Sequence, residues 1–507
     1  MLGRDPFGQK ACEAEVKALG LKYSDIYFDE SPFNQLAIDD DTYIIIGRRG
    51  AGKTALSQYF SFQTSKPNPI YIEVNQPDLY QEVLSDISRK TSESPPAAVA
   101  HLKRVWEYVI WSLIFAALRN DSPTISEACK VERRAGGLAH YVAAVIQHLM
   151  GFFGDQPDGR YIGPRLERLI DDENLGRAKQ AALDIALKRP IIIALDTMEQ
   201  YDIKNDALMN AIAALVEYAA AFNQDYAASH IHLKVFMAGE VFPYINESVL
   251  LNPSKAINHP IYLLWRPRDL LRLISWRFYR YLEASNRLPR QIAGRIKWES
   301  DDDVLEKVWV PHFGRSITNI RGHIEETWPY VLRHTQMRPR QLITMCNNIA
   351  NRAIAESTFP HFTPLQITEG IREAELELSS EILNSYSSIY SRNVSQIVAA
   401  GLQKIPMFFD GSELDRRARL SAPEWDGNYS PSNFRQLVAE LGIVGRVTRG
   451  DESTEFIDAD FEYALPHRLN LTHLDKCVIH PMFYRKLSVV FTGGKRVMPF
   501  ATRREER

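Results

Sequence analysis

Through the first half of the chain, short runs of apolar, β-branched residues alternate with amphipathic stretches. The run at 42–46 enters a glycine-rich turn. Beyond the turn, Ala55-Leu56 and Tyr59-Phe60 recur at helical spacing from Thr54 to about Gln63. Residues 69–74 read as a second strand, and 76–189 as mostly helical with a polar, glycine-containing break at 154–163. Residues 190–195 form a continuous apolar run ending on Asp196, as expected of a central parallel strand covered on both faces. A helix over 206–222 and strands at 232–237 and 260–264 complete the alternation. This order predicts an α/β fold with a parallel sheet and ligand chemistry at the carboxyl ends of its strands.

Beyond that point the strands stop. Residues 267–385 read as helical, with proline-containing breaks at Arg287-Leu288-Pro289 and Arg338-Pro339-Arg340. Three helices, near 394–403, 412–419 and 432–441, precede the strand pair 443–447 and 455–457 around Arg449-Gly450-Asp451-Glu452-Ser453, which predicts a winged helix. A chain of 507 residues is too long for one core. The expected division is a parallel-sheet domain over 1–265 with a helical insertion at about 76–189, a helical lid over 266–385, a winged-helix-like domain over 386–490 and a loose basic tail over 491–507.

The turn after the first strand reads Gly47-Arg48-Arg49-Gly50-Ala51-Gly52-Lys53-Thr54, followed by Ala55. Strand, glycine-rich loop and helix in this order form a P-loop, built for a nucleoside triphosphate. The glycines allow close approach, and main-chain N–H groups with the helix N-terminus surround the phosphates. Lys53 is expected to reach the β- and γ-phosphates, and the Thr54 hydroxyl to ligate Mg²⁺. An acid at the end of a buried strand requires a cationic partner, so Asp196 suits the second magnesium-holding role. Glu199 is the candidate for activating the attacking water, with Asp202 its competitor and Gln200 behind it. Ala238-Gly239-Glu240 ends the strand expected beside these two, where a γ-phosphate sensor would sit. The expected cofactors are therefore ATP and Mg²⁺, and the expected activity is ATP hydrolysis.

Charge narrows the partners. Sixty basic residues against 63 acidic ones leave a net charge of −3, which does not suggest a nucleic-acid-coated protein but allows a local basic face. Cys12, Cys129, Cys346 and Cys477 are too far apart for metal-ligand spacing and read as reduced thiols. The first residues carry no apolar signal region. The most apolar helical stretch, 109–118, is roughly half a membrane span in length. A cytoplasmic location without membrane attachment is expected.

The order of P-loop, helical insertion, acidic strand, helical lid and winged helix resembles the AAA+/STAND side of P-loop ATPases. More narrowly, the P-loop together with Arg338-Pro339-Arg340-Gln341-Leu342-Ile343-Thr344-Met345-Cys346-Asn347 and Val478-Ile479-His480-Pro481-Met482-Phe483 is similar to bacterial STAND-like ATPases. The resemblance implies an additional-strand sheet, a lid whose Arg338 or Arg340 senses the γ-phosphate, regulated homo-oligomerisation and a role such as antiviral defence; the sequence shows no nuclease, protease or TIR-like constellation, so an effector would be a separate protein or an unrecognised surface. By the same resemblance Arg266, Arg268 and Arg277 are candidate arginine fingers. AAA+ proteins often have Asn, Ser or Thr where this chain has Glu240, which could sense only indirectly, through water or an Arg; the acids after Asp196 depart from the NACHT-type pattern, which is compatible with a slow switch rather than a motor. Two other functions stay open. A DNA-binding AAA+ ATPase would use Arg435, Arg446, Arg449, Arg416, Arg417 and Arg419 against the opposing Asp451, Glu452 and Glu455. A nucleotide-binding scaffold without turnover would follow if Glu199 is not the base.

Overall fold

The computed structural model describes residues 5–63, 68–75, 78–90, 95–132, 137–153, 162–196, 203–248, 250, 257–288, 294–319, 321–387, 389–427, 429–450, 455–491 and 494–500. The chain divides into two compact units. One comprises 33–49 and 53–263, the other 1–32, 50–52 and 264–507.

The first of these is an α/β unit. Its strands are β1 (Ile44–Gly47), β2 (Ile70–Val74), β3 (Ile191–Asp196), β4 (Ile231–Ala238) and β5 (Ile261–Tyr262), in the spatial order β2-β3-β4-β1-β5. All the pairings are parallel. Every residue of β1 and β4 is buried, which is why these strands read as unbroken apolar runs rather than alternating ones. β4 separates the loop-bearing strand from the acidic strand, with Ile44 opposite Val235 on one side and Asp196 opposite Phe236 on the other. That is the additional-strand arrangement expected.

The insertion between β2 and β3 is helical, with helices including Asp78–Lys90, Pro95–Leu118, Gly137–Phe153 and Glu173–Ala186. The apolar stretch 109–118 lies in a core helix: Val109, Ile110, Trp111, Leu113, Ile114, Phe115 and Leu118 are buried. Trp106, on the same helix, donates its indole N–H to the carbonyl of Ala211 at 2.8 Å, tying the insertion to helix Asp206–Tyr226. Among the described residues no helix is long and apolar enough to cross a membrane.

The second unit is mainly helical and ends in a sheet. Helix Pro339–Ala355 opens on proline, whose missing N–H costs nothing at a first helical position. Helix Pro364–Ser385 opens with a full capping box between Thr363 and Gln366. Helices Val394–Leu402, Gly411–Ser421 and Pro431–Glu440 precede a hairpin of β9 (Val444–Arg449) and β10 (Phe456–Asp460), matching the winged-helix expectation.

Within the second unit, three features beyond residue 266 differ from the sequence expectation. A short hairpin of β6 (Ser316–Thr318) and β7 (Ile324–Glu326) interrupts the stretch expected to be helical; three-residue strands are too short to show a period. The winged-helix sheet is larger than a hairpin: β8 (Phe408–Asp410), β11 (Lys476–Ile479) and β12 (Arg496–Met498) extend it to five strands in the order β12-β10-β9-β11-β8. β12 is fully buried, so residues 496–498 are sheet rather than loose tail, while 501–507 lie outside the described residues.

The first 32 residues were expected with the parallel sheet but belong to this second unit. Phe7 is 1% exposed and stacks on Phe278 at 4.6 Å between ring centres. Asn347 holds the main chain on either side, accepting from Phe7 N at 3.0 Å and donating to Gly8 O at 2.8 Å. Burying one phenyl ring contributes about 2–3 kcal/mol, enough to fix the docking of a short segment.

Candidate functional site

The P-loop begins at the end of β1 and closes into helix Lys53–Phe62. Gly50 and Gly52 have φ of +81° and +103°, a region that residues with a Cβ enter only under strain. Lys53 is 4% exposed and donates its ammonium to Gly47 O at 3.0 Å, across the loop. Gly239, just past β4, presses on the loop from the side: a Cβ there would come within 3.1 Å of Arg48 N and 3.3 Å of Gly47 C. The adjacent Glu240 is 7% exposed and accepts the Arg49 N–H at 2.9 Å. A carboxylate is an acceptor only, so Glu240 braces the loop and is unsuited to the phosphate-sensing position it occupies in the sequence.

Gly50–Gly52 group with the helical unit. Gly50 O accepts from Arg340 N at 3.3 Å, and Ala51 O accepts from the Trp265 indole N–H at 2.8 Å. A Cβ on Gly50 would meet Arg340 Cβ at 3.0 Å. The Arg340 guanidinium is directed to Glu381 at 3.4 Å.

Arg338 points elsewhere. It is 5% exposed and donates to Gln336 Oε1 at 2.9 Å. Gln336 in turn donates to Leu441 O at 2.8 Å and accepts nothing from solvent, since it is 1% exposed. Its own N–H goes to Gln341 Oε1 at 2.7 Å. Between the two, Met337 is held at φ +54°, a strained conformation for a side chain of its size. Of the two candidate lid arginines, Arg340 is beside the loop and Arg338 is wired to the end of helix Pro431–Glu440. His480 lies close to this segment; burial, and then the nearby charges of His334 and Arg338, push its pKa down to about 3.

Asp196 ends β3 and faces a polar cluster that the sequence reading missed. Ser57 donates to Glu73 Oε1 at 2.9 Å and its hydroxyl meets the Tyr71 hydroxyl at 2.7 Å. Burial, followed by the Glu73 charge, raises the Tyr71 pKa well above its ordinary value, and the Asp196 charge adds to the effect. The signal was present: Ser57 follows Thr54 by three residues, one helical turn, and Tyr71 and Glu73 share one face of β2. Thr54 is half-buried in the first turn of the loop's helix. Glu199, Gln200 and Asp202 lie outside the described residues.

Of the candidate arginine fingers, Arg277 is excluded: its guanidinium is paired with both carboxylate oxygens of the buried Glu15 and donates to Phe7 O at 2.8 Å. Arg268 is exposed beside Asp269 at 3.8 Å, and Arg266 precedes helix Pro267–Ala284 without capping it through its side chain.

The basic residues of the C-terminal module are mostly neutralised by their neighbours. Arg435 donates to Asp415 at 2.6 Å, Arg416 and Arg417 both bind Glu413, and Arg449 lies 3.7 Å from Asp458. Within helix Pro431–Glu440 only Ser432 is exposed. Its Glu440 is gripped by Arg468 at 2.6 Å. Among the described residues no cluster of His, Cys, Asp and Glu could hold a metal by itself.

No protein-family model matches the chain, and no curated protein matches it. Among solved structures, the ORC2 protein of Aeropyrum pernix in ADPNP–ADP complexes is similar over 86% of this chain and 87% of that one, at 12% identity. Its TM-score of 0.35 makes the likeness too distant to carry an argument.

Proposed function

We propose that this chain is an ATP-binding and slowly ATP-hydrolysing switch that couples nucleotide state to oligomerisation or to activation of a separate partner. The observation that carries the proposal is the loop itself: two positive-φ glycines leading into a buried lysine at a helix N-terminus. Main-chain N–H groups of 48–53 would enclose the phosphates, and Lys53 would leave Gly47 O to meet the β- and γ-oxygens. The Thr54 hydroxyl and the Asp196 carboxylate would hold Mg²⁺, which would supply positive charge against the charge developing on the phosphates. Glu199, or Asp202 in its place, would orient the attacking water.

Coupling follows from what surrounds the loop. The main chain of Arg340 bonds to Gly50, and Arg338, two residues earlier, reaches Leu441 through Gln336. A guanidinium that exchanges Glu381 for a γ-phosphate would move the start of helix Pro339–Ala355 and, with it, that chain of bonds. A part in bacterial antiviral defence rests on the family resemblance of the P-loop and lid. The paired state of Arg435, Arg416 and Arg417 favours the switch over a DNA reader.

The test is Lys53→Ala. Loss of ATP binding or turnover by about a hundredfold or more is expected, the magnitude of removing a main charge-stabilising group; unchanged turnover ends the reading. Glu199→Gln should keep ATP bound and slow hydrolysis by about 10²- to 10⁴-fold. A normal rate in that variant would move the role to Asp202, and no hydrolysis in the parent chain would leave a nucleotide-binding scaffold.

A further inference from the structure

Hairpin β6–β7, helix Pro364–Ser385 and the C-terminal segment around Tyr484 and Phe491 line a cavity of about 220 Å³ that includes no P-loop residue in its wall. Much of its wall is apolar, from Tyr330, Ile371, Tyr484 and Phe491. Phe491 meets Tyr484 edge-on at 5.1 Å, and the Arg321 guanidinium lies on the Phe491 ring at 3.3 Å from its centre.

Cations crowd the same wall, and carboxylates account for only some of them. Arg333 is paired with Glu325 at 2.9 Å, His334 with Glu375 at 2.6 Å, and Arg496 with Glu455. Arg321, Arg485 and Lys495 have no carboxylate partner among the described residues: Arg321 donates to Lys495 O, Arg485 donates to Arg372 O, and Lys495 lies over the Phe408 ring. Burial lowers the pKa of Arg321, so its charge is held at a disadvantage that a bound anion would relieve. Two polar atoms on the wall, the Tyr484 hydroxyl and His334 Nε2, are buried without a hydrogen-bond partner. Buried groups of this kind are ordinarily satisfied, by protein, water or ligand.

We propose that this cavity binds a small organic phosphate carrying an aromatic body. The three uncompensated cations match a dianionic head, the Tyr484 hydroxyl and His334 Nε2 supply hydrogen bonds, and the aromatic wall receives a flat ring. The volume is below the range of drug-sized sites, which limits the ligand to a small aromatic phosphate, a mononucleotide at most. The proposal does not rest on nucleotide binding at the P-loop.

The test uses the full chain carrying Lys53→Ala, so that the P-loop does not contribute, and titrates phenyl phosphate, adenosine monophosphate, inorganic phosphate and phenol by calorimetry. Phenyl phosphate or adenosine monophosphate should bind at one site, about tenfold or more tighter than inorganic phosphate or phenol. Adding Arg321→Ala should weaken that binding by about 10- to 100-fold. Arg485→Gln, at an exposed position that leaves the fold intact, should weaken it as well. The proposal is overturned if neither aromatic phosphate binds. It is equally overturned if inorganic phosphate binds as tightly, or if Arg485→Gln and a folded Arg321→Ala chain both bind like the parent.

Discussion

The P-loop and the C-terminal module both bring basic residues and glycines together, yet they deploy them in opposite ways. At the loop, the binding surface is main chain: Gly50 and Gly52 hold positive φ, and Gly239 and Glu240 pack against the loop to keep it there. In the module, most of the side chains that could grip a polyanion are engaged with carboxylates on the same or a neighbouring helix. A surface made of backbone geometry remains available whatever the neighbouring charges do. A surface made of arginines is available only to a ligand that outcompetes their partners.

The largest effect that separates the two regions should be that of acid. His312 and His480 are both buried in the helical unit, and burial depresses their pKa values to about 4 and about 3. Both are therefore neutral in the fold, whereas the unfolded chain protonates near 6.5. Their contribution to stability is complete above that value and is lost as pH falls toward the folded pKa values, on the order of 3 kcal/mol each by pH 4. Hydrogen exchange at pH 7 and pH 4.5, corrected for intrinsic rates, should show the helical unit losing protection while β1, β3 and β4 keep theirs. Earlier loss in the parallel sheet would reverse the comparison.

A smaller effect should follow from Gly50→Ala. An L side chain at φ +81° is strained by about 1–2 kcal/mol, and its Cβ would press on Arg340 Cβ. The loop can relieve this strain only by giving up the conformation that presents its N–H groups. ATP affinity measured by calorimetry should fall about tenfold with little change in melting temperature. Unchanged affinity would mean that the positive φ is incidental to binding.

Gln336→Ala should come next, at about 1 kcal/mol of stability for the lost hydrogen bonds. Its more specific consequence concerns communication. If Arg338, Gln336 and Leu441 form the link between lid and module, ATP should no longer alter hydrogen exchange in β9 and β10 of this variant, although binding itself is retained. An unaltered response would assign the network to packing alone.

The legibility of these features in the sequence follows from their range. The P-loop strand, the acidic strand and the helices between them announce themselves because burial on both faces produces continuous apolar runs, and because a positive-φ turn calls for glycine at fixed positions. Asp196 is legible for a similar reason, as an acid ending such a run. The roles of Glu240, Arg277 and Arg338 were not legible, since each depends on a partner distant in sequence: a loop N–H, the Glu15 carboxylate and the Gln336 amide. Strands β6, β7, β8 and β12 are three residues long, too short for a period to register. The docking of Phe7 on Phe278 is a tertiary event for which local pattern carries no signal.

The smallest expected effect is the one that would do most to revise the comparison. For Arg435 to bind a DNA phosphate it must first leave Asp415, and exchanging this half-buried ion pair for one with a phosphate gains roughly nothing. Among the basic residues that could track DNA, Arg419 and Arg446 have no carboxylate partner among the described residues. Two such contacts would give a slope of log affinity against log salt of at most about −2. Arg435→Ala should therefore change duplex DNA binding by less than about twofold, measured by fluorescence anisotropy across a salt series with ATP present. A slope several times steeper, or a tenfold loss in that variant, would mean that the ion pairs open on contact with DNA. The module would then be a reader whose arginines are stored on carboxylates until the duplex arrives, and the origin-recognition type of function would displace the switch.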